Sequence, residues 1–273
     1  MTAVDFAAKG RRWRGMYAVL YLAFLYIPVL LLPLFSFNDS IYVAFPMKGL
    51  TLQWYRSLLD NTSMHQALAN SLKVAAAASI VSTALAIFAA KSFTRYRYRG
   101  QRITIGMVML PMVMPEIIVG IALLVLLNWI GIGLGLHTVA LGHVLFCLPF
   151  AVAVLMSRLE GFDRSYEEAS LDLGENSWMT FWRVTFPLIL PGIVASLLLT
   201  FTISFDEFIL AFFLTSTETT LPVFIWSQLR FPAKLPGVLA LGALILFTSC
   251  LVVAFAEWVR RRGAAPDKRV PLP

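Results

Sequence analysis

Six apolar runs, at about residues 16–37, 68–91, 103–128, 137–156, 192–214 and 237–258, constrain this chain more than any motif in it. Each approaches or exceeds the ~20 residues needed to cross ~30 Å of hydrocarbon. Across 273 residues, 59% are hydrophobic and only 14% charged, too few polar side chains to clothe a water-soluble core. The expected fold class is therefore an all-α integral membrane protein of six transmembrane helices forming one domain over 1–273. A formal charge of +7 invites a nucleic-acid reading, but the distribution of that charge argues otherwise.

Lys and Arg sort by loop. Lys9, Arg11, Arg12 and Arg14 precede the first run; Lys91, Arg95, Arg97, Arg99 and Arg102 separate the second from the third. Arg158, Arg164 and Arg183 follow the fourth, and Arg260, Arg261, Arg262, Lys268 and Arg269 follow the sixth. The opposite side keeps only Lys48, Arg56, Lys73, Arg230 and Lys234 of the 22. Basic residues concentrate on the cytoplasmic side of membrane proteins, so both termini are expected in the cytoplasm. The basic charge then reports topology, and no nucleic-acid partner is expected. The first run follows a basic segment as a signal peptide does, yet it is too long and lacks a small-residue cleavage pattern; a retained helix is expected. Cys147 and Cys250 lie within apolar runs and read as small hydrophobes, and His65, His137 and His143 lack zinc-ligand spacing, so no metal is expected.

The loop at about 157–191 breaks the pattern. It is structured and acidic where short basic loops are usual: Glu167-Glu168-Ala169-Ser170-Leu171-Asp172-Leu173-Gly174, then Glu175, with Phe186-Pro187 beyond. Ser165 and Glu168 have the spacing of a capping box, which predicts a short helix to about Leu173. Gly174 suits the left-handed position past that helix end. Asn176 or Ser177 suits the cap of a second short helix carrying Trp178, Phe181 and Trp182 on one face, ended by Pro187. An interfacial helix lying under the bilayer is one reading. Its acids would repel anionic headgroups, so docking onto a protein explains more. Glu168 itself has two readings, a helix cap or a contact residue.

Three carboxylates fall inside apolar runs: Glu116, Asp206 and Glu207. Each costs ~2.5–3.5 kcal/mol near mid-membrane on insertion scales, so a cavity or a base must receive it. Counting 1.5 Å per residue along straight helices puts Glu116 and Asp206 both about 20 Å from the inner face. Pro111 and Pro115 flank Met112-Val113-Met114 before Glu116 and free backbone carbonyls there. Phe201, Phe205, Phe208 and Phe212 form one stripe at helical spacing, with Glu207 nearly opposite beside Thr200, Ser204 and Ala211. The stripe reads as lipid-facing packing or as a wall that attracts alkylammonium groups. The acids read as partners of Lys73, Arg230 or another subunit's base, or as a site for a cationic solute. No run holds enough Lys or Arg to neutralise all three, which favours the cation.

Glu168, Ala169, Gly174 and Pro187 resemble the E-A-A-x3-G-x9-I-x-L-P motif of bacterial ABC-importer permeases, with Ser170, Val184 and Phe186 in place of alanine, isoleucine and leucine. Over nearly its whole length the chain resembles the second permease of spermidine/putrescine-type importers. The resemblance rests on Ser36-Phe37-Asn38, Gly49-Leu50-Thr51-Leu52-Gln53-Trp54-Tyr55, Asn70-Ser71-Leu72, Pro111 to Glu116, Ser204-Phe205-Asp206-Glu207 and Thr220-Leu221-Pro222. That family often has aspartate where this chain has Glu116 and Glu207. The resemblance implies a type I importer permease fold in a bacterial inner membrane. It implies a second, non-identical permease, two ATPases that bind ATP and Mg, and a periplasmic solute-binding protein. Glu167, Glu168, Ala169, Asp172, Gly174 and Pro187 are then expected at the ATPase contact. Glu116, Asp206, Glu207, Phe205 and Phe208 are expected on the pathway of a polyamine or related organic cation. No G-x4-G-K-[ST] loop occurs, so nucleotide belongs to a partner and the chain is a transport subunit, not an enzyme. Two other classes are weaker: a proton-coupled carrier lacks matched halves with paired broken helices, and an intramembrane enzyme lacks any recognisable catalytic set.

Overall fold

A computed structural model describes residues 3–263; Lys268 and Arg269 lie outside the described residues. Among these, twelve α-helices account for nearly all regular structure, with no strand beyond a lone bridge between Asn38 and Leu50. Five helices are long and apolar enough to span a membrane, and a bent pair makes up to six. The chain divides into two compact units, residues 1–62 with 227–273, and residues 63–226.

In the first unit, α1 (Ala3–Ser36) packs with α12 (Leu235–Gly263), and α12 with α2 (Gln53–Leu59). Tyr17, Leu20, Phe24 and Leu30 of α1 are exposed, an arrangement that lipid solvates and water does not. Two of the sequence pieces noted above interlock here. Ser36 Oγ and Tyr55 Oη lie 2.6 Å apart, the Trp54 indole donates to the Asn38 carbonyl at 2.9 Å, and the Lys48 amide donates to Asn38 Oδ1 at 3.1 Å. Asn38 is buried, so these bonds supply the polar partners its burial demands.

The second unit is built on α3 (Thr62–Arg95), whose buried face is almost wholly small: Ala67, Ser71, Ala75, Ala78, Ser79, Ser82, Thr83, Ala86 and Ala90. Small residues let membrane helices approach closely and hydrogen-bond across the gap; Thr83 Oγ1 meets Ser196 Oγ of α9 at 3.0 Å. A second pair of sequence pieces meets here too, Asn70 Nδ2 donating to the Thr219 carbonyl at 3.1 Å and the Leu221 amide to Ser71 Oγ at 2.8 Å.

Two expectations about helices are corrected. The third apolar run is not one straight helix: α4 (Gln101–Val113) and α5 (Glu116–Trp129) meet at 106°. Met114 precedes Pro115 and is extended at φ −77°, ψ 142°, as clash with the proline ring requires. The fifth run breaks as well. It starts well before residue 192: α8 (Ser177–Thr180), a π-turn (Phe181–Thr185) and α9 (Phe186–Asp206) follow one another directly. Glu207 is then extended, and α10 (Ile209–Leu214) begins afresh. Pro187 does not end a helix; it stands at the start of α9, directly after the π-turn. The remaining helices are α6 (Leu136–Glu160), α7 (Ser165–Asp172) and α11 (Leu221–Leu229).

Candidate functional site

The two helix breaks place the three intramembrane acids together. Glu116 opens α5, Asp206 closes α9, and Glu207 stands in the gap between α9 and α10. All three line one cleft of about 510 Å³, walled also by Phe146, Phe150, Ile203, Phe208 and Ile209. The depth argument from a straight third helix fails; the acids meet because both acid-bearing segments are interrupted, one before Glu116 and one at Glu207. Glu207 is buried, and its Oε1 accepts from the Leu210 amide at 2.9 Å, serving as the cap of α10. Glu116 is half-buried and Asp206 exposed.

Among the described residues, Arg95–Glu167, Arg164–Glu168 and Arg183–Glu175 form ion pairs in or beside the loop at 157–191. Lys73, one expected partner of the acids, instead lines a separate polar cavity of about 480 Å³ with Asn70, Glu218 and Thr219. The phenylalanine stripe is cut by the break into two pairs, Phe201 with Phe205 (centroids 6.1 Å) and Phe208 with Phe212 (5.6 Å). Phe208 reaches the cleft; Phe205 stacks on Phe201 and is not among its lining residues.

Sequence reasoning missed what stands behind the cleft. His143 of α6 is fully buried with Nδ1 2.7 Å from Ser204 Oγ, one turn before the break in α9. Its Nε2 has no hydrogen-bond partner. Cys147, one turn further along α6, packs with Sγ 3.5 Å from the Thr200 carbonyl. A histidine on an apolar helix needs a polar partner at its own depth, and Ser204 is one; that requirement was the available signal. Phe146 and Phe150 flank these residues on α6 and were also missed.

At the other end of the unit, the acidic loop forms the two short helices expected, with different chemistry at their ends. The capping box is absent. Arg164 occupies the cap position of α7 without a side-chain bond, and Asp163 Oδ1 accepts from the Ser165 amide at 3.0 Å. That bond holds the exposed Asp163 carboxyl below its ordinary value of 3.8. Gly174 is left-handed at φ 90°, and Asn176 caps α8 by accepting from the Met179 amide at 2.8 Å. The two helices are tied by Ser170 and Thr180, whose hydroxyls lie 3.0 Å apart.

The two adjacent glutamates point in different directions. Glu167 is 9% exposed: Oε1 accepts from Thr185 Oγ1 at 2.6 Å and Oε2 lies 2.8 Å from Arg95 Nε. Glu168 is exposed beside Arg164 at 3.1 Å. Ala169, Asp172, Gly174 and Pro187 are exposed too. So are three apolar residues, Leu173 (87%), Trp178 and Trp182, and Leu173 was not anticipated.

Residues 82–263 match the family described as "Binding-protein-dependent transport system inner membrane component". The spermidine/putrescine transport system permease protein PotC of Escherichia coli (strain K12) is 35% identical over 253 residues, 92% of this chain and 95% of that one. The putrescine transport system permease protein PotI of the same organism is 36% identical over 254 residues, covering 90% and 89%. In fold, the chain is similar to a bacterial ABC transporter involved in the import of the acidic polysaccharide alginate, with a TM-score of 0.70 at 17% identity over 97% of this chain and 99% of that one. With its helices, its broken spans and its exposed acidic loop, the chain belongs to this family of inner-membrane components and, within it, to the spermidine/putrescine permeases: it is a multi-pass permease subunit of an ABC importer.

Proposed function

We propose that this subunit carries a polyamine or related organic cation across the bacterial inner membrane. The carrying observation is the convergence of Glu116, Asp206 and Glu207 on one cleft with aromatic walls at Phe146, Phe150 and Phe208. Primary amines with pKa values near ~10.4 are protonated at neutral pH, and a carboxylate with a nearby ring face receives an alkylammonium by charge and by cation–π attraction. An anion entering the same cleft meets like charge. The relatives whose names specify spermidine and putrescine support the same assignment.

The loop face bearing Glu168, Ala169, Asp172, Leu173 and Gly174 docks a separate ATPase, which binds ATP and Mg. Two such ATPases, a second permease chain and a periplasmic solute-binding protein complete the assembly, with both termini of this chain in the cytoplasm. Closing the ATPases moves the loop, and the loop moves the broken helices that hold the cleft.

Uptake of radiolabelled putrescine and spermidine by the reconstituted complex tests the site. One charge-assisted contact is worth roughly 1.5–3 kcal/mol, so E116Q, D206N and E207Q should each reduce uptake about tenfold or more, with the complex intact. Unchanged uptake in all three and in the D206N/E207Q double variant overturns the assignment.

A further inference from the structure

The acid preceding the family motif, Glu167, is buried and paired inward, unlike the exposed Glu168. Two segments distant in sequence, the end of α3 and the π-turn, contact the Glu167 carboxylate, and a ring packs beneath the arginine. Arg95, the last residue of α3, approaches with Nε 2.8 Å from Oε2, both side chains nearly excluded from solvent at 11% and 12%. Thr185, fully buried at the end of the π-turn, donates to Oε1. Phe162, in the turn after α6, lies under the guanidinium, its ring centroid 4.6 Å from the Arg95 central carbon. One turn back on α3, Lys91 Nζ lies 4.8 Å from the ring centroid of Phe181, at the start of the π-turn. A buried ion pair of this kind is a poor way to gain stability, because desolvation offsets the attraction. Arg95 Nε and Nη2 make no hydrogen bond; the charge contact with Glu167 and the Phe162 ring beneath hold the guanidinium between α3 and α7, a tie that suits it to transmit displacement.

Covalent and hydrogen-bonded continuity leads from this pair to the cleft. Thr185 leads directly into α9, which ends on Asp206. Arg95 ends α3, and Gln101 Nε2, at the start of α4, donates to the Phe93 carbonyl at 2.7 Å and the Tyr96 carbonyl at 3.1 Å. From there α4 runs to the bend before Glu116. One carboxylate on α7 is therefore joined to both segments that carry the acids of the cleft.

We propose that the Arg95–Glu167–Thr185 clasp is the strut through which the exposed loop moves the cleft, a positioning role separate from docking. Glu168 contacts the partner; Glu167 passes the motion inward. The inference rests on the ATPase docking at this loop; E168Q examines separately the contact assigned to Glu168, since it leaves the strut untouched.

The test measures uptake and ATP hydrolysis together on the purified complex in proteoliposomes. Single neutral variants leave a buried charge unpaired, so the decisive chains are the double variant R95Q/E167Q and the swap R95E/E167R. The double variant should assemble and hydrolyse ATP within about twofold of the parent. Its uptake per ATP should fall at least tenfold, and the swap should recover a substantial part of it. R95K, which keeps the charge but loses the flat stack on Phe162, should lie between. If uptake and hydrolysis fall in parallel, or if neither the double variant nor R95K assembles, the pair is structural and the proposal is overturned. If E168Q changes neither ATPase co-purification nor hydrolysis while R95Q/E167Q uncouples, docking at Glu168 fails and the strut survives.

Discussion

Glu167 and Glu168 are adjacent and chemically identical, and the fold makes them opposites. Burial and two partners commit Glu167 to the interior of the loop, whereas Glu168 keeps only an exposed pair with Arg164. Exposed i,i+4 pairs contribute about 0.3–0.5 kcal/mol, so E168Q should leave thermal stability nearly unchanged while weakening ATPase co-purification. Gly174 is constrained differently. At φ 90° a side chain meets its own backbone, and G174A should cost about 1–2 kcal/mol locally, seen as faster amide exchange in α7 and α8. Asp163 gives the loop a pH response. Its folded-state carboxyl titrates below the ordinary value, so its contribution is present above the unfolded value and is lost as pH falls through the lower folded one. The protection of the Ser165 amide against exchange, relative to the free-peptide rate at the same pH, should therefore fall below about pH 4, and D163N should abolish that dependence.

At the scale of elements, the two interruptions matter more than the helices they interrupt. Pro115 removes an amide and forces Met114 out of the helical region, which gives the 106° turn between α4 and α5. P115A restores the donor and should straighten the pair, lengthening the distance between spin labels at the exposed positions 107 and 125. Uptake should fall at least tenfold as Glu116 leaves the cleft; an unchanged distance would locate the bend in packing instead. The second break has no proline. It is held by Glu207, whose carboxylate caps α10. E207Q can still accept that bond and E207A cannot, so E207A should cost about 1 kcal/mol more in thermal unfolding of the purified complex.

For the molecule as a whole, close approach between helices is the device that builds the unit holding the cleft. In residues 63–226, the small face of α3 and glycines on α5 and α6 admit neighbours that a larger side chain would exclude. A Cβ at Gly142 would stand 2.5 Å from Leu214 Cδ1 of α10. G142A should cost about 1–3 kcal/mol through overpacking, and a melting curve of the complex should show it. Because α10 follows the cleft directly, that substitution should also lower uptake, whereas G106A, with open space around it, should do neither.

Hydropathy, loop charge and the motif residues disclosed a helical membrane permease with an acidic loop, because burial in lipid demands continuous apolar runs and allows few exceptions. The left-handed glycine and the Asn176 cap were legible for the same kind of reason: they depend on neighbours close in sequence. The exceptions at Glu116, Asp206 and Glu207 were visible as misplaced charges. Their meeting in one cleft was not, since it depends on two breaks and on how α5, α6 and α9 lie against one another. Likewise His143 against Ser204, and Arg95 reaching across to Glu167, join residues far apart along the chain. Local sequence dictates which groups need partners; only packing of the folded helices decides which partner each one finds.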